Sequence, residues 1–162
     1  MQSQAYLSSA QVFARHKRTK EAELYTRMGL DAFPATPEGD PGYALDVNIY
    51  TLSRDAGHAQ LEMGHVAEAY SALELYTSSM QLIPERVRME IVNAQTKVAI
   101  LENDRDRYAF FLKDSLTSSL AAGSKKRFDE ACTTFKEEMP ASWLHNREIQ
   151  DIAEQYWLQR AN

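Results

Sequence analysis

Side chains that can hold a metal, move a proton or attack an electrophile set the range of chemistry open to this chain. The histidines are His16, His58, His65 and His145, and the one cysteine is Cys132. No two of these stand at the spacing of a zinc ligand pair, so no metal site is expected. The nearest arrangement is His58 with Glu62, at i and i+4 on one helical face. That spacing also describes an ordinary surface pair, and it is read as one. The chain contains no glycine-rich phosphate loop and no Gly-x-Ser-x-Gly turn. Glu148, Asp151 and Glu154 lie on one side of the last helix and read as a solvated acidic face. No combination of nucleophile, base and oxyanion donor can be assembled. The sequence therefore predicts a protein that is not an enzyme and needs no cofactor.

What the remaining polar side chains can do depends on the elements that carry them.

With 162 residues the chain is long enough for one domain with a real core. Six glycines and five prolines are too few for the turns of a sandwich or barrel. The long segments are filled by Leu, Ala, Glu, Gln, Lys, Arg and Met, which favour helices. A net charge of -5 disfavours contact with phosphate backbones. The basic cluster Arg15, His16, Lys17, Arg18 and Lys20 reads as a solvated turn, so no direct nucleic-acid binding is expected. A lone Cys132 cannot form an intrachain disulfide. No run approaches the roughly 20 apolar residues of a membrane span, and the start at Met1 lacks the pattern of a signal peptide. The cytoplasm is the expected compartment.

Breaks in the apolar periodicity divide the chain. Residues 33–42 hold Pro34, Pro37, Gly39, Pro41 and Gly42 and cannot continue a helix. Elsewhere apolar residues recur at helical spacing. They predict eight amphipathic helices over 3–16, 19–32, 43–63, 66–82, 85–102, 105–121, 126–138 and 143–160. Short connections imply antiparallel neighbours, giving four pairs at about 3–32, 43–82, 85–121 and 126–160. Thr19, Asp104 and Ser142 are expected N-caps. Gly64 and Asn103 suit the left-handed residue that ends a helix.

Three stretches resemble one another. Glu21-Ala22, Glu68-Ala69 and Glu130-Ala131 each open a helix, with an aromatic or Leu three or four residues on: Tyr25, Leu73 and Phe135. Pro34 and Pro140 close two of the three. On these residues the chain resembles the tetratricopeptide repeat family. Ala10 and Gly57 fall on the motif's small position in the first helix of two repeats. Ala22 and Ala69 open the second helix, and Gly29 falls on its later small position. Tyr6 stands for the motif's large aromatic in the first pair, where the second pair has Ser53. The resemblance implies an all-α, right-handed superhelical stack of about four antiparallel pairs. The run from Asp55 to Leu73 is similar, more narrowly, to the C-terminal repeat halves of bacterial helix-turn-helix regulators. There the repeats sense a ligand or mediate dimerisation. The chain has no room for a DNA-binding domain before Tyr6, so an excised sensory half or a free-standing relative is implied.

In such a stack the first helix of each pair lines a groove that takes a protein or peptide. By position the resemblance assigns Gln4, Leu7, Gln11 and Arg15 to it from the first pair. The second pair adds Thr51, Arg54, His58 and Glu62, and the third Glu90, Asn93 and Lys97. Within this implied set Arg54 and Lys97 are the best candidates to hold an anionic group such as a carboxylate, because charge-assisted hydrogen bonds are strong. Tyr156 and Trp157 are adjacent and point to different faces of the last helix. One is expected in the core and the other at an interface, where aromatic anchors are favoured. The alternative to partner binding is a structural homodimer built on that helix, which would cap an otherwise exposed end.

Overall fold

The computed structural model describes residues 2–32, 49–74 and 85–158, apart from the side chains of residues 49, 50, 157 and 158. The expected loop over 33–42, the starts and ends of several expected helices (43–48, 75–82 and 159–160), and the Trp157 side chain lie outside them. The described residues form eight α-helices and no strand, so the chain is all-α. It divides into two compact units, Met1–Val87 and Arg88–Asn162, where the length prior allowed for one domain.

The first unit contains α1 (Gln2–Arg15), α2 (Thr19–Asp31), α3 (Ile49–Met63) and α4 (Val66–Glu74). Helix α1 packs against α2 and α3, and α3 packs against α2 and α4. Leu7, Leu52 and Ala56 form a buried cluster, with Ala72 against it. Ala10, Ala22, Ala59 and Ala69 are fully buried. Small side chains at these places allow helix axes to approach to about 8–10 Å. The closest approaches are at two glycines. A Cβ placed on Gly29 would meet Leu7 Cγ at 2.6 Å, and one on Gly57 would meet Leu73 Cγ at 2.6 Å. Tyr25 of α2 is flanked by two rings of α1, Tyr6 at 6.0 Å and Phe13 at 5.0 Å between centroids.

The second unit takes in α5 (Glu85–Leu101) from Arg88 on, then α6 (Arg105–Ala121), α7 (Lys125–Thr133) and α8 (Arg147–Leu158). Helix α6 packs against α7 and α8. The core joins Ala99 of α5 to Tyr108, Leu112 and Leu116 of α6, Phe128, Ala131 and Cys132 of α7, and Ile149, Ile152 and Tyr156 of α8. Cys132 packs there as a small apolar residue. The expected helix over 126–138 begins as α7 and then widens into a π-helical turn, Thr134–Glu138. The expected start of the last helix near Ser142 is corrected. Residues Ala141–His145 form a 3-10 turn, and α8 starts only after Asn146, whose side chain accepts from the Ile149 N–H at 3.1 Å. Asn146 therefore does the capping expected of Ser142.

Among the described residues one turn recurs four times. At Lys17, Gly64, Asn103 and Gly123 the backbone takes positive φ, between 56° and 81°. In each case the residue after it donates its N–H to the carbonyl five positions back: Arg18 to Phe13, His65 to Gln60, Asp104 to Ala99 and Ser124 to Ser119. Those bonds satisfy carbonyls that a helix end leaves open, and the left-handed residue reverses the chain into the next helix. Asp104 then caps α6 by accepting from the Arg107 N–H, as expected. The Thr19 cap is corrected: Thr19 is the first residue of α2, and Arg18 before it makes no capping bond through its side chain. The Arg18 guanidinium lies 4.7 Å from the Phe13 ring centroid and pairs with Glu21 instead.

Candidate partner-binding surface

The residues assigned to a groove fall into two sets, one in each unit. In the first unit α1 brings Gln4, Gln11 and Arg15 to its polar side, and α3 brings Arg54, His58 and Glu62. The Gln11 amide donates to the Asp55 backbone carbonyl at 3.3 Å. Arg15, one turn along α1, lies 3.9 Å from Glu62, two turns along α3. Both cross-links advance in the same direction, so α1 and α3 run parallel. Arg54 is half-buried and holds Asp55 at 2.7 Å. Its cationic head is thus tied to its own helix before any ligand arrives. His58 is half-buried, while Arg15 and Glu62 are exposed. A pair as exposed as Arg15 with Glu62 stabilises the fold little and can open to a partner at low cost.

Two residues assigned to this groove do not belong to it. Leu7 is fully buried, its side chain pressed onto Gly29. Thr51 is buried as well. An alternation of polar and apolar positions cannot separate a groove from the seam beside it when the seam is this tight.

In the second unit the assigned residues are already engaged. Glu90 is buried and paired with Arg127 of α7. Asn93 donates to Glu130 at 3.3 Å and accepts from Ser115. Arg127 also holds Glu130 at 2.7 Å. Lys97 meets Glu138 at 3.0 Å. The Glu90–Arg127 and Asn93–Glu130 links join residues 37 positions apart, and Lys97–Glu138 joins residues 41 apart. A near-constant separation means that α5 and α7 also run parallel, and the extra four residues are one helical turn. Arg88 adds a further knot with Asp114 and Ser118 of α6. The expectation that Glu90 offers itself to a ligand is thus corrected, because its carboxylate is consumed within the fold. Asn93 and Lys97 also spend their polar atoms on neighbouring helices.

Sequence reasoning missed the partners: Asp55, Ser115, Arg127, Glu130 and Glu138. A signal was present. Glu90, Asn93 and Lys97 follow the same spacing, within a turn, as Arg127, Glu130 and Glu138, with opposite charges at the ends. Tyr156 is buried, and its hydroxyl bonds Thr117 of α6. It is the core member of the Tyr156 and Trp157 pair and is not an interface anchor. Among the described residues two buried hydroxyls, Ser53 Oγ and Tyr108 Oη, have no hydrogen-bond partner. Tyr108 packs on Trp143 with ring centroids 5.3 Å apart. Burial, aided by the Glu138 charge, pushes its phenol well above the ordinary tyrosine range.

Among the described residues no group of three or more His, Cys, Asp and Glu side chains is arranged to hold a metal ion. No described helix is long and apolar enough to cross a membrane. Compared with known proteins, the chain matches no family model, no curated protein and no solved structure.

Proposed function

We propose that the chain is a tetratricopeptide-like repeat domain that binds a segment of another protein along α1 and α3 and catalyses no reaction. One observation carries this reading: first helices of successive pairs run parallel in both units, with a turn of one geometry following α1, α3 and α5. Stacked helix pairs, in which a pair buries its apolar stripe on its neighbour, would give this order within a unit. The small residues Ala10, Ala22, Gly29, Gly57 and Ala69 support it, because they lie where the helices close on one another.

The binding face of this reading is Gln4, Gln11, Arg15, Arg54, His58 and Glu62. It offers amide donors, cations and a carboxylate within two adjacent helices, a set suited to peptide backbone and acidic side chains. A setting in which such a domain works is the ligand-sensing or oligomerising part of a bacterial transcription regulator. The test is affinity capture followed by a second capture with Arg15→Glu and Gln11→Ala. A partner retained by the parent chain and lost from both variants supports the reading. A partner retained equally by all three places the surface elsewhere.

A further inference from the structure

Within the first unit α2 and α4 flank a trough of about 460 Å³ with α3 as its floor. Thr26 and Leu30 form one wall, Ala67, Glu68, Ser71 and Ala72 the other, and Ala56 and Gln60 the base. The alanines are too short to close it, and Leu30 is left 41% exposed. The volume falls in the range of small-molecule sites, about 300–1,000 Å³.

The polar atoms around this trough are unequally divided between donors and acceptors. The Thr26 hydroxyl donates to the Ala22 carbonyl at 2.8 Å, and the Ser71 hydroxyl donates to the Ala67 carbonyl at 3.0 Å. Both protons are thus spent on their own helices, leaving only oxygen lone pairs toward the trough. The Gln60 side-chain oxygen meets His65 Nδ1 at 3.1 Å, so its amide is the one lining side-chain donor not spent. Glu68 places a carboxylate on the lip, and among the described residues no cation pairs with it. His65 in turn lies 4.0 Å, through its Nε2, from Glu23 of α2. An anion here would meet the Glu68 carboxylate and two hydroxyl lone pairs, with only the Gln60 amide to donate to it. A cation with hydrogens to donate would meet what it needs, and its apolar body would cover Leu30 and the alanines.

We propose that this trough binds a small organic ammonium ion with an apolar body, its charge against Glu68 and its hydrocarbon between α2 and α4. The site is separate from the partner-binding residues of α1 and α3 and stands whether or not those bind a peptide. The test uses the full chain with 4-phenylbutylamine and its carboxylate counterpart 4-phenylbutyrate, followed by calorimetry and by amide NMR shifts. The amine is expected to bind saturably and to shift the amides of Thr26, Ala67 and Ser71, while the carboxylate does not. Glu68→Gln is expected to weaken the amine several-fold. Ala67→Trp, at an exposed helical position that tolerates the change, is expected to fill the trough and abolish binding. Equal binding of amine and carboxylate, binding of neither, or binding indifferent to Glu68→Gln would each overturn the proposal.

Discussion

Leu73 covers Gly57 so closely that no side chain fits between them: a Cβ on Gly57 would stand 2.6 Å from two of its carbons. Leu73 is fully buried and has nowhere to go. Gly57→Ala should therefore destabilise the protein by about 1–2 kcal/mol, despite the better helix propensity of alanine, because overpacking costs about 1–3 kcal/mol. Leu7 and Gly29 repeat the relationship, so Gly29→Ala should behave alike. Urea unfolding of both variants measures this, and a gain in stability at either would contradict it.

The pair of Glu90 and Arg127 is nearly buried, with side-chain exposures of 10% and 12%. Removing Arg127 takes a cation away from a carboxylate with little access to water. Arg127→Met should cost about 3–5 kcal/mol, and adding Glu90→Met should restore part of the loss. A double variant no better than the single one would show that the charge on Glu90 is not the cause.

Tyr108 makes the opposite prediction. Its hydroxyl is buried without a partner, so Tyr108→Phe should be neutral or stabilise by up to about 1 kcal/mol at neutral pH. The folded state holds the phenol neutral, so its contribution is complete below the unfolded tyrosine pKa of about 10 and is lost as pH rises beyond it. Alkaline denaturation of the parent chain should therefore begin at lower pH than that of Tyr108→Phe.

Glu21 is solvent-exposed, and the hydrogen bond from Arg18 holds its carboxyl below the usual glutamate range. A lowered folded pKa gives stability that is present above the unfolded value and lost as pH falls through the folded one. A side-chain NMR titration should place Glu21 below the ordinary glutamate range, and Arg18→Gln should raise it toward that range.

Loss of the Asn146 cap should cost about 0.5–2 kcal/mol. Ser142 lies in the preceding 3-10 turn, so Ser142→Ala should change little. Thermal unfolding of Asn146→Ala beside Ser142→Ala separates them, and the reverse order would contradict the assignment.

Helix existence was readable from periodicity, and most described ends fall within a residue or two of expectation. Gly64 and Asn103 announced their turns by residue type. Lys17 did not, because a lysine in the left-handed region is set by the surrounding turn and not by its own preference. The same limit applied to the candidate site. Gln11, Arg15 and Glu62 share the polar faces that spacing predicted, but spacing on one helix carries no record of what the next helix offers. Only the matched charges on α5 and α7 held that information. Pro140 marked the end of a helix but not the π turn before it, since widening by one residue leaves the composition unchanged.

That π turn has a further consequence. It takes up a surplus residue between α7 and Pro140, and in doing so keeps Phe135 and Met139 against the core while Glu138 reaches Lys97. An α-helix rotates about 100° per residue. Forcing 134–138 into regular α winding with all its residues kept would swing Met139 toward solvent and Glu138 away from its lysine, whereas deleting one residue there would restore regular winding and keep both in place. The irregular segment thus sets the rotational phase at which the chain leaves this helix.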